Sequence, residues 1–238
     1  MTEFSNISYI NFLKNSGISS FLKEEPNNLY QKNTEKKTSS DVTNIENIKN
    51  IEDLKTYIVN FNIPTLKNNT KHTILGNGNI NANIMIIGDP PNDEDEKEGK
   101  FMSGEAGQLL IKMLAAINIK LEAIYLNTII PWRIKKNREP TNKEILLCLP
   151  FIEKYIELIK PSIILLMGQS AAKALLTTNL DINELRGKWH EYKSIHTDQT
   201  IQCLVTHDPK LLLKLPNLKR QSWEDLKMIK QKILDENL

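Results

Sequence analysis

The sequence has few cysteines and no long apolar run, and both absences narrow the class of protein. Its 238 residues include two cysteines, Cys148 and Cys203, too few for a disulfide framework or a metal cage of their own. No apolar run approaches the roughly 20 residues of a membrane-spanning helix, and the first residues lack the basic and apolar regions of a signal peptide. We therefore expect a soluble, cytoplasmic protein with reduced thiols and no membrane contact.

A strong charge of one sign is also missing. The net charge is +2, which neither demands nor excludes a nucleic-acid partner, because a local basic patch can lie within a balanced total. No Gly-rich phosphate loop of the Walker or dinucleotide type follows a candidate strand, so a nucleotide-binding domain is a weak interpretation.

The start of the chain differs in composition from the rest. An apolar stripe within residues 1–24 suggests a short amphipathic helix, and residues 25–46 are a polar stretch rich in Asn, Lys and Ser that buries too little to fold alone. We predict an N-terminal arm and linker at residues 1–46, partly disordered, and one folded domain at residues 47–238.

Four short apolar runs, each ending in a turn, predict the strands of a sheet. They lie at residues 84–87, 123–130, 162–167 and 201–205, and helical periodicity fills the segments between them. No Asn-Gly hairpin signal joins neighbouring runs. We expect an α/β fold, a three-layer αβα sandwich around a central four-stranded parallel sheet.

Polar residues follow each candidate strand. They are Asp89 after the first, Asn127 and Thr128 at the second, Gly168 and Gln169 after the third, and His207 and Asp208 after the fourth. Open α/β sheets bind ligands at the carboxyl ends of their strands, so this edge is the predicted site. Beyond an acidic stretch predicted to be a solvated loop, Phe101 stands alone among polar and small residues and adds an aromatic face. Asp89 is alternatively a turn residue beside two prolines.

Two basic segments are candidates for contacts with DNA. One contains Arg133, Lys135, Lys136 and Arg138, and the other, PKLLLKLP, contains Lys210, Leu211, Leu212 and Lys214. Lysine and arginine neutralise phosphates, and an apolar wedge flanked by lysines suits the minor groove. The alternatives are a solvated loop for the first segment and core packing for the second.

Several motifs occur in the order found in a known family. The stretch GDPPNDEDEKEGKFMSGEAGQLL resembles the pattern GEAPG, acidic residues, PFVG and AGQLL of the uracil-DNA glycosylase superfamily, and of its family 4 enzymes in particular. PWRIKKNREPT, LRGKWHEY and LPNLKRQSWEDL are similar to further motifs of that family. The resemblance runs from about Asn79 to Lys232.

The resemblance implies an enzyme that flips uracil out of DNA and hydrolyses its N-glycosidic bond, leaving an abasic site. Phe101 matches the aromatic residue that stacks on the base, and Asp89 stands at the family's Glu. The predicted catalytic residues are Asp89, His207 and Asp208, and the predicted substrate-binding residues are Gly88, Pro91, Phe101, Asn127 and Thr128. The expected partner is DNA containing uracil, with no obligate protein partner and a monomer as the default.

Two family positions are offset by one residue. Counting back from the PWR motif places Thr128, not Asn127, at the family's base-reading Asn, and counting back from residues 212–214 places Asp208, not His207, at the family's His. A one-residue shift on a strand turns a side chain to the other face unless a bulge corrects it. Either local loops absorb the offset or two functional side chains are replaced.

The resemblance also raises the question of a cofactor. Many family 4 enzymes carry an iron–sulfur cluster on four cysteines, and Cys148 matches the last of these ligands. Trp132 stands where another ligand would be, and no cysteine precedes Cys148. One ligand cannot hold a cluster, so we predict no metal site and no cofactor.

Two functions of different class are left open. The first is an active monofunctional glycosylase, and the second is a catalytically impaired relative that binds damaged or single-stranded DNA through the same pocket and basic loop. The first requires Asn127 or His207 to face the cavity that Phe101 and Asp89 share.

Overall fold

The computed structural model describes residues 45–68, 70–194 and 199–236. The predicted arm lies almost entirely outside these residues, so its helix, its linker and the domain boundary stay predictions. Within the described ranges, no helix is both long enough and apolar enough to cross a membrane.

A six-stranded sheet forms the centre of the fold. Its strands are β1 (Asn77–Gly78), β2 (Ile84–Gly88), β3 (Ile124–Thr128), β4 (Ile163–Met167), β5 (Trp189–Lys193) and β6 (Thr200–Thr206). They lie in the order β1-β3-β2-β4-β6-β5. The inner four are parallel, and β1 and β5 pair antiparallel at the two edges. The predicted four-stranded parallel sheet is therefore the inner part of a six-stranded one.

Helices cover both faces of the sheet. They are α1 (Ile51–Asn60), α2 (Pro64–Lys67), α3 (Asp93–Glu98), α4 (Gly104–Ala116), α5 (Asn142–Ile159), α6 (Gln169–Leu176), α7 (Ile182–Leu185), α8 (Pro209–Lys214) and α9 (Lys219–Glu236). One core contains Leu54 of α1 and Phe151 of α5, and the other contains Leu110 of α4 and Leu226 of α9. Two cores separated by a sheet confirm the predicted α/β sandwich.

The acidic stretch predicted to be a loop is helix α3. Asn92 caps its first turn by accepting a hydrogen bond from the Asp95 N–H, and the Asp95 carboxylate accepts one from the Asn92 N–H. Carboxylates in a first turn also interact favourably with the helix dipole. The prediction of a loop was wrong because the capping box between Asn92 and Asp95 stabilises the start of a helix in this acidic stretch.

The register of the parallel strands brings their carboxyl ends level with one another. Gly88 at the end of β2 pairs with Thr128 of β3 and with Met167 of β4, and Met167 in turn pairs with Thr206 of β6. Every residue of β2, β3 and β4 is buried. The residues that follow these strands therefore gather at one edge of the sheet.

Candidate functional site

A cavity of about 540 Å³ opens at the carboxyl edge of the sheet. Its walls come from the turn after β2, from α3 and α8, from the start of α4 and α6, and from the loop before α5. The predicted site residues that line it are Asp89, Pro91, Arg138, Asp208, Lys210, Leu211 and Lys214. Its volume lies in the range typical of small-molecule pockets.

Asp89 is fixed at this edge by its backbone and by the start of α6. Its N–H donates to the Met167 carbonyl at 3.1 Å, and its Oδ1 accepts from the Ala171 N–H at 2.9 Å. Gly168, with φ of +110°, makes room for the carboxylate, since a Cβ there would lie 2.3 Å from Asp89 Cγ. A side chain at residue 168 would displace Asp89.

The surroundings of Asp89 raise its pKa to about 7. Burial is the largest cause, and the charge of the nearby Asp208 carboxylate adds to it, while the Ala171 N–H and the Lys210 ammonium act in the opposite direction. Asp89 is therefore only partly ionised near neutral pH. A carboxyl group poised in this way is typical of functional sites.

Asp208 contributes the second carboxyl group of the cavity. It caps α8, because its Oδ1 accepts from the Lys210 N–H at 2.7 Å. Its Oδ2 is buried and has no hydrogen-bond partner among the described residues. Burial raises the pKa of Asp208. A buried polar oxygen without a partner in a cavity wall is available to a ligand.

Lys210 lies beside both carboxyl groups and is held from several sides. Its Nζ lies 2.8 Å from Asp95 Oδ2, 3.1 Å from the Pro90 carbonyl oxygen and 4.7 Å from the centroid of the Phe101 ring. The side chain is 14% exposed. Lys210 is thus a fixed cation of the cavity rather than a mobile surface lysine.

Phe101 packs against the end of β2. The ring is buried, and a Cβ on Gly88 would lie 2.7 Å from Phe101 Cζ, so Gly88 is what allows the ring to lie on the strand end. Phe101 borders the cavity through Lys210 rather than lining it directly.

Asn127 and Thr128 are turned away from this cavity. Both line a separate, much smaller space with Gly76 and Tyr155. Asn127 Oδ1 accepts from the Thr128 N–H at 2.8 Å, and its Nδ2 has no partner within the described ranges. The Thr128 hydroxyl donates to the Asp89 carbonyl at 3.0 Å. Thr128 supports the Asp89 backbone, and the Asn127 amide does not reach the cavity.

His207 does not line the cavity either. Its ring is buried and its Nε2 lies 2.9 Å from Gln221 Oε1 on α9. The two residues after β6 therefore diverge, with Asp208 at the cavity and His207 packed against α9.

The two arginines of the first basic segment are paired with acidic residues. Arg133 binds Asp93 at 3.0 Å and also pairs with Glu96. Arg138 pairs with Glu144 at 2.6 Å, and this hydrogen bond lowers the pKa of Glu144 to about 2. Lys135 and Lys136 are exposed, so they are the residues of this segment that are open to phosphates.

The leucines of α8 do not share one environment. Leu212 is buried, which makes it a core residue and contradicts its predicted place in a DNA-contacting wedge. Leu211 is half-buried in the cavity wall, and Leu213 and Leu215 are 37% and 48% exposed. Leu213 also lines the cavity. Three successive leucines of a helix point in different directions, a signal that was present in the sequence.

Comparison with curated proteins finds relatives of one kind over most of the chain. The type-4 uracil-DNA glycosylase of Sulfurisphaera tokodaii is 29% identical over 165 residues, 67% of this chain and 74% of that protein. The enzyme of the same name from Saccharolobus solfataricus is 30% identical over 166 residues, 68% and 76% of the two chains. A DNA polymerase of Bacillus phage SP01 is 34% identical over 130 residues, 54% of this chain but 14% of the polymerase.

These relatives contradict the prediction of no cofactor, because type-4 uracil-DNA glycosylases are known iron–sulfur cluster enzymes. Among the described side chains, no three His, Cys, Asp or Glu residues are grouped to hold a metal ion. The described residues do not fit a four-cysteine site, because Cys148 and Cys203 are the cysteines among them.

The family model of the uracil DNA glycosylase superfamily matches residues 75–227. The match spans every strand of the sheet and every wall of the cavity. It agrees with the motifs read from the sequence and with the parallel inner sheet. This chain belongs to the uracil DNA glycosylase superfamily.

Proposed function

We propose that this protein is a uracil-DNA glycosylase that uses the cavity at the carboxyl edge of its sheet. The enzyme class is supported by the family and by relatives of that name. The observation that carries the proposal is the pair of carboxyl groups, Asp89 and Asp208, in the wall of a cavity of suitable size. The substrate is uracil in DNA, and the products are free uracil and an abasic site.

The uracil leaves the base stack before it reacts. Flipping costs a few kcal/mol of lost stacking and pairing, which contacts in the pocket offset. Pro91 lines the cavity and supplies apolar surface for the flat base, and the buried Phe101 ring lies beneath Lys210 at the border of the cavity. A base entering along this path passes the Lys210 ammonium.

Cleavage of the N-glycosidic bond creates a positive charge on the sugar and a negative charge on uracil. The carboxyl groups of the cavity are suited to stabilising the positive charge. As the bond from the sugar to uracil N1 breaks, its electron pair goes to uracil and C1′ becomes cationic. Ionised Asp89 stabilises that cation and orients the water whose oxygen bonds to C1′, and electrostatic stabilisation of this kind is usually the largest catalytic contribution. The unpartnered Oδ2 of Asp208 is a second acceptor for the water.

Exposed lysines and leucines around the cavity meet the DNA backbone and groove. Lys135, Lys136 and Lys214 are exposed and serve as phosphate contacts. Leu213 is exposed at the cavity mouth and takes the wedge role first assigned to Leu212. Arg133 and Arg138 hold acidic residues of the protein instead.

A second function is favoured by one observation. The side chains of Asn127 and His207 lie outside the cavity, whereas an active glycosylase was expected to have one of them there. A protein with this arrangement that bound damaged or single-stranded DNA without cleaving it would match the same surface.

An excision assay separates the two functions. The protein is incubated with a labelled oligonucleotide that contains one uracil, abasic sites are cleaved with alkali, and an oligonucleotide with thymine at that position is the control. We expect strand breakage at uracil alone. Retained binding of the uracil oligonucleotide without breakage would contradict the glycosylase and support the binding protein.

A further inference from the structure

Among the described residues, no imidazole lines this cavity to stabilise the negative charge that develops on the departing uracil. The departing uracil carries the electron pair of the broken bond on its ring, and a group must stabilise that charge. The nearest imidazole in sequence to the cavity, His207, is buried against Gln221 and does not line it. Another side chain has to meet the leaving group.

Lys210 is placed for this task. Its side chain lines the cavity, and its ammonium lies 4.7 Å from the centroid of the buried Phe101 ring. The Pro90 carbonyl and Asp95 hold it there at 3.1 Å and 2.8 Å. A cation held in place before the reaction stabilises developing charge without the cost of reorganisation.

The other cationic side chains of the cavity wall are less suited. Arg138 is 48% exposed, and Lys214 is an exposed residue at the end of α8. Neither contacts the Phe101 ring in the described structure. Lys210 combines a place in the cavity wall, low exposure and contact with the aromatic residue.

We propose that Lys210 is a catalytic residue whose ammonium contacts the departing uracil and stabilises its negative charge in place of an imidazole. The role rests on the proposed glycosylase function. The ammonium keeps its proton throughout, the electron pair of the broken bond stays on uracil N1, the water adds hydroxide to C1′, and its proton is released through Asp89 to solvent. Uracil takes up a proton from solvent after it leaves.

The test compares two leaving groups. Lys210→Met removes the charge but keeps much of the volume, and Lys112→Met, at an exposed residue of α4, is the matched control. Single-turnover excision rates are measured for uracil and for 5-fluorouracil, whose fluorine makes it a more stable anion. We expect Lys210→Met to slow uracil excision about 100-fold and 5-fluorouracil excision by a clearly smaller factor, with Lys112→Met unchanged on both.

The dependence on the leaving group separates chemistry from structure. A loss that is equal for the two bases would assign Lys210 a merely structural role and overturn the proposal. Lys210→Gln, which keeps a donor toward Pro90 and Asp95 but no charge, must show the same selectivity for 5-fluorouracil, and it serves if the Met variant does not fold. Lys210→Arg should recover part of the uracil rate.

Failure of this role is distinguishable from failure of the function. A wild-type protein that excises uracil together with a Lys210→Met variant that does so equally well overturns the role of Lys210 alone. A wild-type protein that excises neither base overturns the glycosylase proposal and this role with it.

Discussion

The ends of β2 and β6 differ from the end of β3, although all three lie at the same edge of the sheet. After β2 and β6, Asp89, Asp208 and Lys210 face an open cavity of about 540 Å³. After β3, Asn127 and Thr128 line a separate, much smaller space and bond to neighbouring backbone. The charged groups are therefore concentrated on one side, while the end of β3 serves to build the wall behind them.

Aromatic side chains pack around the end of β3. Trp132 is fully buried and its ring lies 6.2 Å from that of Phe151, which in turn lies 5.1 Å from that of Phe61. Aromatic pairs at these separations stabilise a core beyond the area they bury. Asn127 is adjacent to this core and separated from the cavity, which supports the proposal that the carboxyl groups carry the chemistry.

Removal of the Asp89 charge should have the largest effect on the rate of uracil excision. Asp89→Asn keeps the shape of the side chain but cannot stabilise the cationic sugar. We expect the single-turnover rate of uracil excision to fall about 100-fold or more. Asp235→Asn, at an exposed residue of α9 that bonds to Gln231, is the control and should keep the wild-type rate. A fall of less than about 3-fold, below 1 kcal/mol in the barrier, would move the chemistry away from Asp89.

The buried carboxyl group should also make stability depend on pH. The pKa of Asp89 is raised from 3.8 to about 7 on folding, so the folded protein binds this proton more tightly than the unfolded chain. The resulting stability is fully present below the unfolded pKa and is lost as pH rises through about 7. The unfolding free energy of Asp89→Asn, measured relative to wild type by urea denaturation, should therefore increase from acid to neutral pH. A constant difference would contradict the assigned pKa.

The exposed lysines should contribute to DNA affinity more than the paired arginines. Lys135→Gln and Lys136→Gln should each lower the salt dependence of DNA binding by about one unit of slope. Arg133→Gln should change the slope less, because Arg133 is already paired with Asp93 and Glu96. Titrations at several salt concentrations measure the slopes, and a larger effect at Arg133 would show that its ion pairs open on binding.

The smallest effect on the rate of uracil excision is expected at Asn127, at the end of β3. Asn127→Ala removes the acceptor of the Thr128 N–H, so the free energy of unfolding should fall by about 1–3 kcal/mol. The excision rate should change by less than about 3-fold, because the amide does not reach the cavity. A rate loss as large as that of Asp89→Asn, without a loss of stability, would place Asn127 in the reaction.

Most of the fold was predictable from the sequence because buried parallel strands are continuous apolar runs. The runs at residues 84–87, 162–167 and 201–205 lie in β2, β4 and β6. The edge strands β1 and β5 were not predicted from the sequence. Strand β1 has only two residues, and β5 is largely polar and has a single buried residue. Neither carries the periodicity on which a prediction depends.

The sequence predicted candidate residues for the site but not the directions of their side chains. Position after a strand identified Asp89 and Asp208, but the directions of Asn127 and His207 depend on how the chain turns after the last strand residue, which spacing does not specify. The place of Lys210 depends on Asp95, a residue far away in sequence on a helix that was predicted to be a loop. Contacts between distant segments of this kind are not encoded in local patterns.

The pH dependence of the excision rate, measured in wild type and in His207→Gln, tests the central claim most directly. If the carboxyl side of the cavity carries the reaction, the rate rises with pH as Asp89 ionises, with a midpoint near its pKa of about 7, and the same profile persists in His207→Gln. Loss of that ionisation in His207→Gln, together with a large fall in rate, would contradict the account and return the chemistry to the imidazole.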